Sequence, residues 1–426
     1  MFTTDKDLSL QQTTSYKVVL PFYLFAAFSF LISCILLLLN TAIIHQHYFQ
    51  PKTLAITHLM ALGWGTMIIL GASHQLLPVL IEGKLDSYLL ALLSFIFAAA
   101  GIPLLVTGFY YFNTGLLLQS GAVLINASVA CYFLNVITSI GESKKYNVHA
   151  FYIAAASLWL FATTFFGLLL VFNFSRSWLP ENSIEYLSLH AHMGLAGWFL
   201  LLIIGVASRL IPMFLISKYS SPKTLWWIFA LINLALFSFI ILKTSGAYPK
   251  LYYSPFFLVL IALILFGNYC YNAYKTRIRK HVDEQMKISL LSVAMLVLPL
   301  LSLLAIISFI TEDSASNLVL LYGFCIFFGW ISAIIIGMTF KTLPFIIWNK
   351  VYQIRAIGKT PAPKELFSEN LFKVMSLLYL SGFIVFVAGI LALNDLLLKS
   401  GSALLLTSAL LYVINVLKIA FHKIKE

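Results

Sequence analysis

The chain has 426 residues, of which 61% are hydrophobic and only 10% are charged, with a formal net charge of +12. A soluble chain is about 45–50% apolar and about 25% charged, so the charges here are too few to cover a water-facing surface. That excludes a soluble enzyme, a disordered chain and a nucleic-acid-binding domain, and it leaves a polytopic membrane protein.

The first 16 residues are polar and show neither a basic-then-apolar signal pattern nor a small-residue cleavage site, so the first apolar span is expected to be retained. Twelve apolar stretches follow, at 18–44, 53–80, 88–112, 115–140, 150–174, 186–216, 224–242, 251–274, 288–310, 317–348, 371–393 and 396–420. A helix of about 20 residues crosses the hydrocarbon core. Strands of a membrane barrel would be near ten residues and would alternate in polarity. The predicted fold class is therefore all-α, with twelve transmembrane helices and the lipid bilayer as its surroundings.

Of the 27 Lys and Arg, only Lys52, Arg176, Lys243, Lys250 and Lys399 fall on one side of that topology. The rest fall on the side of the two termini, among them Lys144, Lys145, Lys275, Arg277, Arg279, Lys280, Lys350, Arg355, Lys359 and Lys364. The asymmetry is that of the positive-inside rule and predicts cytoplasmic termini in a multi-pass cell-membrane protein. The basic excess thus sets orientation and can hold anionic lipid heads, and nothing in it reads as nucleic-acid binding. The acidic residues all fall in loops, tails or helix ends, which argues against ion-coupled transport. Cys34, Cys131, Cys270 and Cys325 lie in apolar spans without a C-x-x-C pair, so a zinc ribbon, c-type haem attachment and a disulfide framework are unsupported.

An internal repeat organises the chain. HLMALGWGTMIILGASHQLLPVLIEGK begins at His58, HMGLAGWFLLLIIGVASRLIPMFLISK at His192 and FCIFFGWISAIIIGMTFKTLPFIIWNK at Phe324. Five columns are identical without a gap: Gly63, Gly197, Gly329; Trp64, Trp198, Trp330; Gly71, Gly205, Gly337; Pro78, Pro212, Pro344; and Lys84, Lys218, Lys350. Trp occurs only eight times in the chain, so with three in register chance is a poor explanation. The single membrane domain then reads as three four-helix pseudo-repeats, about 17–145, 146–287 and 288–426, with the motif on the second helix of each. The Gly, Trp and Pro columns are expected to be structural, because glycines let membrane helices approach closely. The Pro lies about 30 Å along the helix from the His column, at its cytoplasmic exit.

Twelve helices in three groups of four, with this motif, resemble subunit I of the haem-copper oxidase superfamily. The H-x4-G-W-x6-G-x6-P pattern is similar to metal-bearing helices of C-type oxidases and nitric oxide reductases. The opening His190-Ala191-His192 is also similar to the NnrS family of haem- and copper-containing membrane proteins. The resemblance implies a haem, of b type, with copper as a further or alternative metal, and an electron donor or an oxidase subunit as partner. The sequence departs from the family at Phe324, where a ligand is expected, in span 224–242, which has no His, and at Ala196, where many oxidases have Tyr. A complete oxygen-reducing centre is therefore not expected, and no residue is assigned as catalytic.

Intramembrane ionisable residues are functional candidates by default, and four histidines qualify. His58 and His192 share a repeat column, and two helices offering an imidazole each at matched depth suit bis-axial haem ligation. The bland alternative is a polar residue near a helix end. His190 lies about 200° around the helix from His192, so the two face different neighbours and serve different cofactors, or His190 is interfacial. His74 lies about 24 Å deeper than His58, and its column partners are Ser208 and Phe340. It is the weakest metal candidate, and a structural or proton-path role suits it better. His45 and His47 are expected in a solvated loop, where the alternative is capture of copper. His149, His281 and His422 are expected to be solvated. Gln75, Arg209 and Lys341 form a polar column in which each side chain is expected to snorkel to lipid heads.

The functional expectation is a haem- or copper-binding membrane protein that transfers electrons or responds to a diatomic gas such as nitric oxide, without full oxidase activity. A transporter of a neutral or anionic substrate, and a factor that delivers cofactor to an oxidase, are the alternatives.

Overall fold

The computed structural model describes residues 14–143, 147–278, 280–309, 315–352 and 360–423. Lys144, Lys145, Arg279, Arg355 and Lys359, used above for orientation, lie outside them. The described residues contain twelve helices long and apolar enough to cross a membrane. They are α1 Tyr16–Leu39, α2 Pro51–Leu80, α3 Tyr88–Tyr110, α4 Leu116–Gly141, α5 Val148–Arg176, α6 Leu187–Leu215, α7 Pro222–Thr244, α8 Pro249–Lys275, α9 Glu284–Ser308, α10 Ser316–Tyr352, α11 Glu369–Ala392 and α12 Asp395–Ala420. The protein is an all-α polytopic membrane protein. Helices satisfy their own backbone, which lipid cannot do for them.

Local sequence sets the helix starts. Ser15, Asn147, Asp283, Ser368 and Asn394 each accept a hydrogen bond from a backbone N–H in the first turn of α1, α5, α9, α11 and α12. Pro51 and Pro222 open α2 and α7, where a missing N–H costs nothing. One helix end and one helix interior depart from the sequence expectation for a visible local reason. The first span was expected to run to residue 44, but the α-helix stops at Leu39 and Thr41–His45 forms a separate tight turn. Asn40 leaves helical geometry, with its Nδ2 donating to the Leu36 carbonyl, and the helix ends there despite the apolar Ile43 and Ile44 beyond. In α9 the α-helical run breaks between Met295 and Val297, because Pro299 has no N–H to give the Met295 carbonyl.

The chain forms two compact units. One comprises Thr14, Ser73–Gly108 and Asn113–Val282, and the other Ser15–Ala72, Phe109–Phe112 and Asp283–Glu426. In the first unit, Gly205 of α6 lies against α5, where an added Cβ would stand 2.5 Å from the Tyr152 Cβ. In the second unit, Gly71 of α2 meets Phe22 of α1 at 2.7 Å in the same sense, and Gly337 of α10 meets Ser289 of α9 at 2.2 Å. In all three repeats the second glycine column is thus where the repeat's first helix touches its motif helix. Only a residue without a side chain fits there, because membrane helices associate by close van der Waals packing.

The motif prolines leave a mark too. A proline inside a helix frees the carbonyl four residues earlier. Pro78 frees that of His74, and the Thr14 hydroxyl donates to it at 2.6 Å. Pro212 frees that of Ser208, and the Tyr269 hydroxyl donates to it at 2.9 Å. Side-chain hydroxyls thereby restore bonds that the bilayer cannot supply.

Candidate functional site

All three motif helices change geometry at the same register. A π-helical turn spans Leu59–Thr66 in α2, Met193–Leu200 in α6 and Cys325–Ile331 in α10. Each begins on the residue after the His58, His192 and Phe324 column. Such turns are rare, and they are frequent at functional sites. They also release backbone carbonyls. In the third repeat the Tyr379 hydroxyl reaches the Phe328 and Gly329 carbonyls, each at 2.7 Å, and the Ser332 hydroxyl donates to the Phe327 carbonyl at 2.6 Å. The same Ser332 oxygen accepts the indole N–H of Trp64 at 3.0 Å.

The two histidines of the column are held alike. The His58 Nδ1–H donates to the Leu54 carbonyl at 2.8 Å, and the His192 Nδ1–H donates to the Ser188 carbonyl at 2.7 Å. A carbonyl can only accept, so Nδ1 carries the proton and Nε2 carries the lone pair in the neutral ring. This is the arrangement that orients a ligating imidazole. Both rings are half-buried. His58 stacks on Phe109 at 4.6 Å between centroids, and His192 lies 4.9 Å from Phe239 of α7. At the third column position Phe324 stacks with Phe328, Phe383 and Phe386, the last at 4.3 Å. An aromatic cluster fills the place where the other two repeats offer an imidazole.

His190 and His192 do point to different helices. His190 lies against Gly167 of α5, whose added Cβ would meet the His190 Cε1 at 2.8 Å. His190 is half-buried, with Phe166 6.4 Å away. His74 is 1% exposed and meets Tyr132 edge-on at 5.5 Å. Among the described residues, no group of three or more His, Cys, Asp or Glu is placed to hold a metal ion. The four cysteines are free thiols.

A second repeated signature lies outside the motif helices. The fourth helix of each repeat reads Tyr-x-x-Asn: Tyr132 and Asn135, Tyr269 and Asn272, Tyr412 and Asn415. In the first unit, Asn135 accepts from the Ser87 N–H at 3.0 Å and donates to the Ser87 carbonyl at 2.9 Å. In the second unit, Asn415 does the same to Ser368, at 2.9 and 3.2 Å. Seven residues before each Asn, Ser128 and Ser408 donate to the Ser94 and Met375 carbonyls. Tyr132 meets Trp198 and His74 edge-on, and Tyr412 meets Trp64 and Phe340 edge-on. The tyrosine thus joins a motif tryptophan to the His74 column in both units. Asn272 instead bonds within its own helix, to Asn268.

Three polar expectations need correction. Lys341 does not snorkel alone: its ammonium pairs with Asp283, with side chains only 12% and 27% exposed. Asp283 uses its other oxygen to cap α9. His149 is not solvated; it is half-buried, and its Nδ1 bonds the Gly205 carbonyl at 2.9 Å. His422 is half-buried and bonds the Tyr352 hydroxyl at 2.9 Å. In the expected loop, His45 is exposed and bonds Asp395 at 2.7 Å, and His281 is exposed.

No family model matches the chain, and no curated protein matches it significantly.

Proposed function

We propose that this membrane protein binds haem at His58 and at His192, one in each unit, as a divergent relative of haem-copper oxidase subunit I. The observation that carries the reading is the matched treatment of the two imidazoles. Each occupies the same repeat column, donates Nδ1–H to the carbonyl four residues back, and stands immediately before a π-helical turn. The π-helical turn follows Phe324 as well and so belongs to the repeat; the Nδ1–H bond that fixes one tautomer is what the two imidazoles share with each other.

The donor chemistry favours haem over a copper ion held by protein alone. A protein-only copper centre needs about three converging donors. Haem brings its own ring nitrogens and would ask the protein for only one or two donors. One imidazole on each of two motif helices meets the second need. A bound haem would supply one-electron chemistry or a site for a diatomic gas. The chain's own residues would do the rest: the Leu54 and Ser188 carbonyls hold the rings in one tautomer, and Phe109 and Phe239 keep water off them. Phe324 leaves the third repeat without a ligand, which fits electron transfer or gas response better than oxygen reduction.

The test is a reduced-minus-oxidised visible spectrum of the full-length protein, purified after expression with ample haem, with metal analysis of the same sample. A haem spectrum with iron present is expected. A colourless, iron-free preparation would overturn the reading and leave the transporter alternative, which uptake in proteoliposomes would then examine.

A further inference from the structure

The second unit holds a cleft of about 370 Å³ that the haem reading does not use. It lies where the end of α1, the Thr41–His45 turn, the start of α2 and the end of α3 meet. His58 is not among its walls. Its polar walls are Asn40, Gln46, Gln50, Lys52, Tyr110 and Tyr111. Among the described residues, Lys52 is the only charged one there, and no Asp or Glu lines the cleft. The Lys52 ammonium stands 5.8 Å over the Tyr110 ring, which keeps the cation at the wall.

Two further features shape the site. Helix α2 opens at Pro51, and the Gln50 side chain makes no cap hydrogen bond, so the positive end of this helix carries no side-chain cap beside Lys52. The Gln50 Nε2 donates to the Ile43 carbonyl at 3.3 Å, which ties the turn to the start of α2. Leu39, Tyr111 and Phe112 of the rim are 72%, 75% and 48% exposed. Such a rim at a helix end suits acyl chains and the membrane interface. A free, fully hydrated anion would gain nothing from it.

We propose that this cleft binds the phosphodiester headgroup of an anionic phospholipid, with the phosphate on Lys52 and the acyl chains along Leu39, Tyr111 and Phe112. The shared chemistry is that of any phosphate anion; the apolar rim selects the lipid over a soluble one. A zwitterionic lipid brings an ammonium for which the cleft offers no carboxylate. The inference stands apart from the haem reading, since it uses none of the same side chains.

The test is native mass spectrometry of the delipidated full-length protein in detergent, titrated with phosphatidylglycerol. Lys52→Gln is expected to weaken the tightest lipid by about tenfold, the value of one charge-assisted hydrogen bond. Lys250→Gln, at a residue outside the cleft, is expected to leave it unchanged. Phosphatidylethanolamine should bind more weakly to the wild type. Ala42→Trp fills the cleft without changing charge and should also displace the lipid, which keeps the test alive if Lys52→Gln does not fold. Equal affinities for Lys52→Gln and Lys250→Gln, or for the two lipids, would overturn the proposal. So would an Ala42→Trp variant that binds like the wild type, or displacement of the lipid by free glycerol phosphate.

Discussion

Gly337→Ala is the sharpest test of how the repeats are packed. An added Cβ at this position of α10 would lie 2.2 Å from the Ser289 Oγ, 2.7 Å from the Gln285 carbonyl oxygen and 2.9 Å from the Ser289 nitrogen. The hydroxyl can rotate away only by giving up its bond to the Gln285 carbonyl. The backbone atoms cannot rotate, so α9 must retreat. Restoring ordinary contact at the carbonyl requires a shift of about 0.7 Å, and a gap of that size forfeits roughly a quarter to a half of each contact's dispersion energy. Overpacking costs about 1–3 kcal/mol and the serine hydrogen bond about 1 kcal/mol, for a total of about 2–4 kcal/mol. Reversible unfolding of the two variants in mixed detergent micelles, followed by tryptophan fluorescence, measures it. Gly267→Ala in α8 is the control, since no heavy atom lies within 4 Å of its added Cβ. It should be neutral, or stabilising by up to about 1 kcal/mol through helix propensity. Equal stabilities for the two variants would refute the claim that the second glycine column is a close-packing site.

Three other outcomes follow from the same geometry. Asn415→Ala leaves the backbone N–H of Ser368 without its acceptor, while the Ser368 carbonyl keeps the Phe372 N–H, and should cost about 1–3 kcal/mol, whereas Asn272→Ala, which loses bonds only within its own helix, should cost about zero in the same unfolding assay. Tyr379→Phe removes the donor that serves the Phe328 and Gly329 carbonyls and should lower stability by about 2 kcal/mol, with hydrogen exchange rising in the π-helical turn of α10. Lys341→Met removes the cation beside Asp283, but that carboxylate keeps its cap bond to the Met286 N–H and partial access to solvent, so the loss should be about 1–2 kcal/mol rather than the roughly 3–5 kcal/mol of a fully buried pair. A Lys341→Met protein as stable as the wild type would show the ion pair to be decorative.

The fold was legible because apolarity is a property of composition, and twelve stretches of it can be counted without knowing any contact. What composition hides was missed. Asn40 ends α1 although Ile43 and Ile44 continue the apolar run, because its backbone turns out of helical geometry there, which apolarity does not report. A π-helical turn changes hydrogen bonding and leaves residue type alone, so only the shared register of His58, His192 and Phe324 hinted that these points were special. The Tyr-x-x-Asn signature was present in the sequence at Tyr132, Tyr269 and Tyr412, and an alignment of the fourth helices would have found it. The Lys341–Asp283 pair spans 58 positions, and the His149 contact to Gly205 spans 56, so neither has a local signal. The candidate site was legible as far as its column of imidazoles. Their tautomer became visible only once Leu54 and Ser188 were seen to accept from Nδ1.

The central claim is that His58 and His192 hold haem, and the most direct measurement compares visible spectra across single variants. The reduced-minus-oxidised spectrum of the wild type should show haem. His58→Ala and His192→Ala should each lose or strongly shift it, while His74→Ala, about 24 Å along the helix from His58, should keep it. A spectrum unchanged in both His58→Ala and His192→Ala, or no haem in the wild type, would contradict the account.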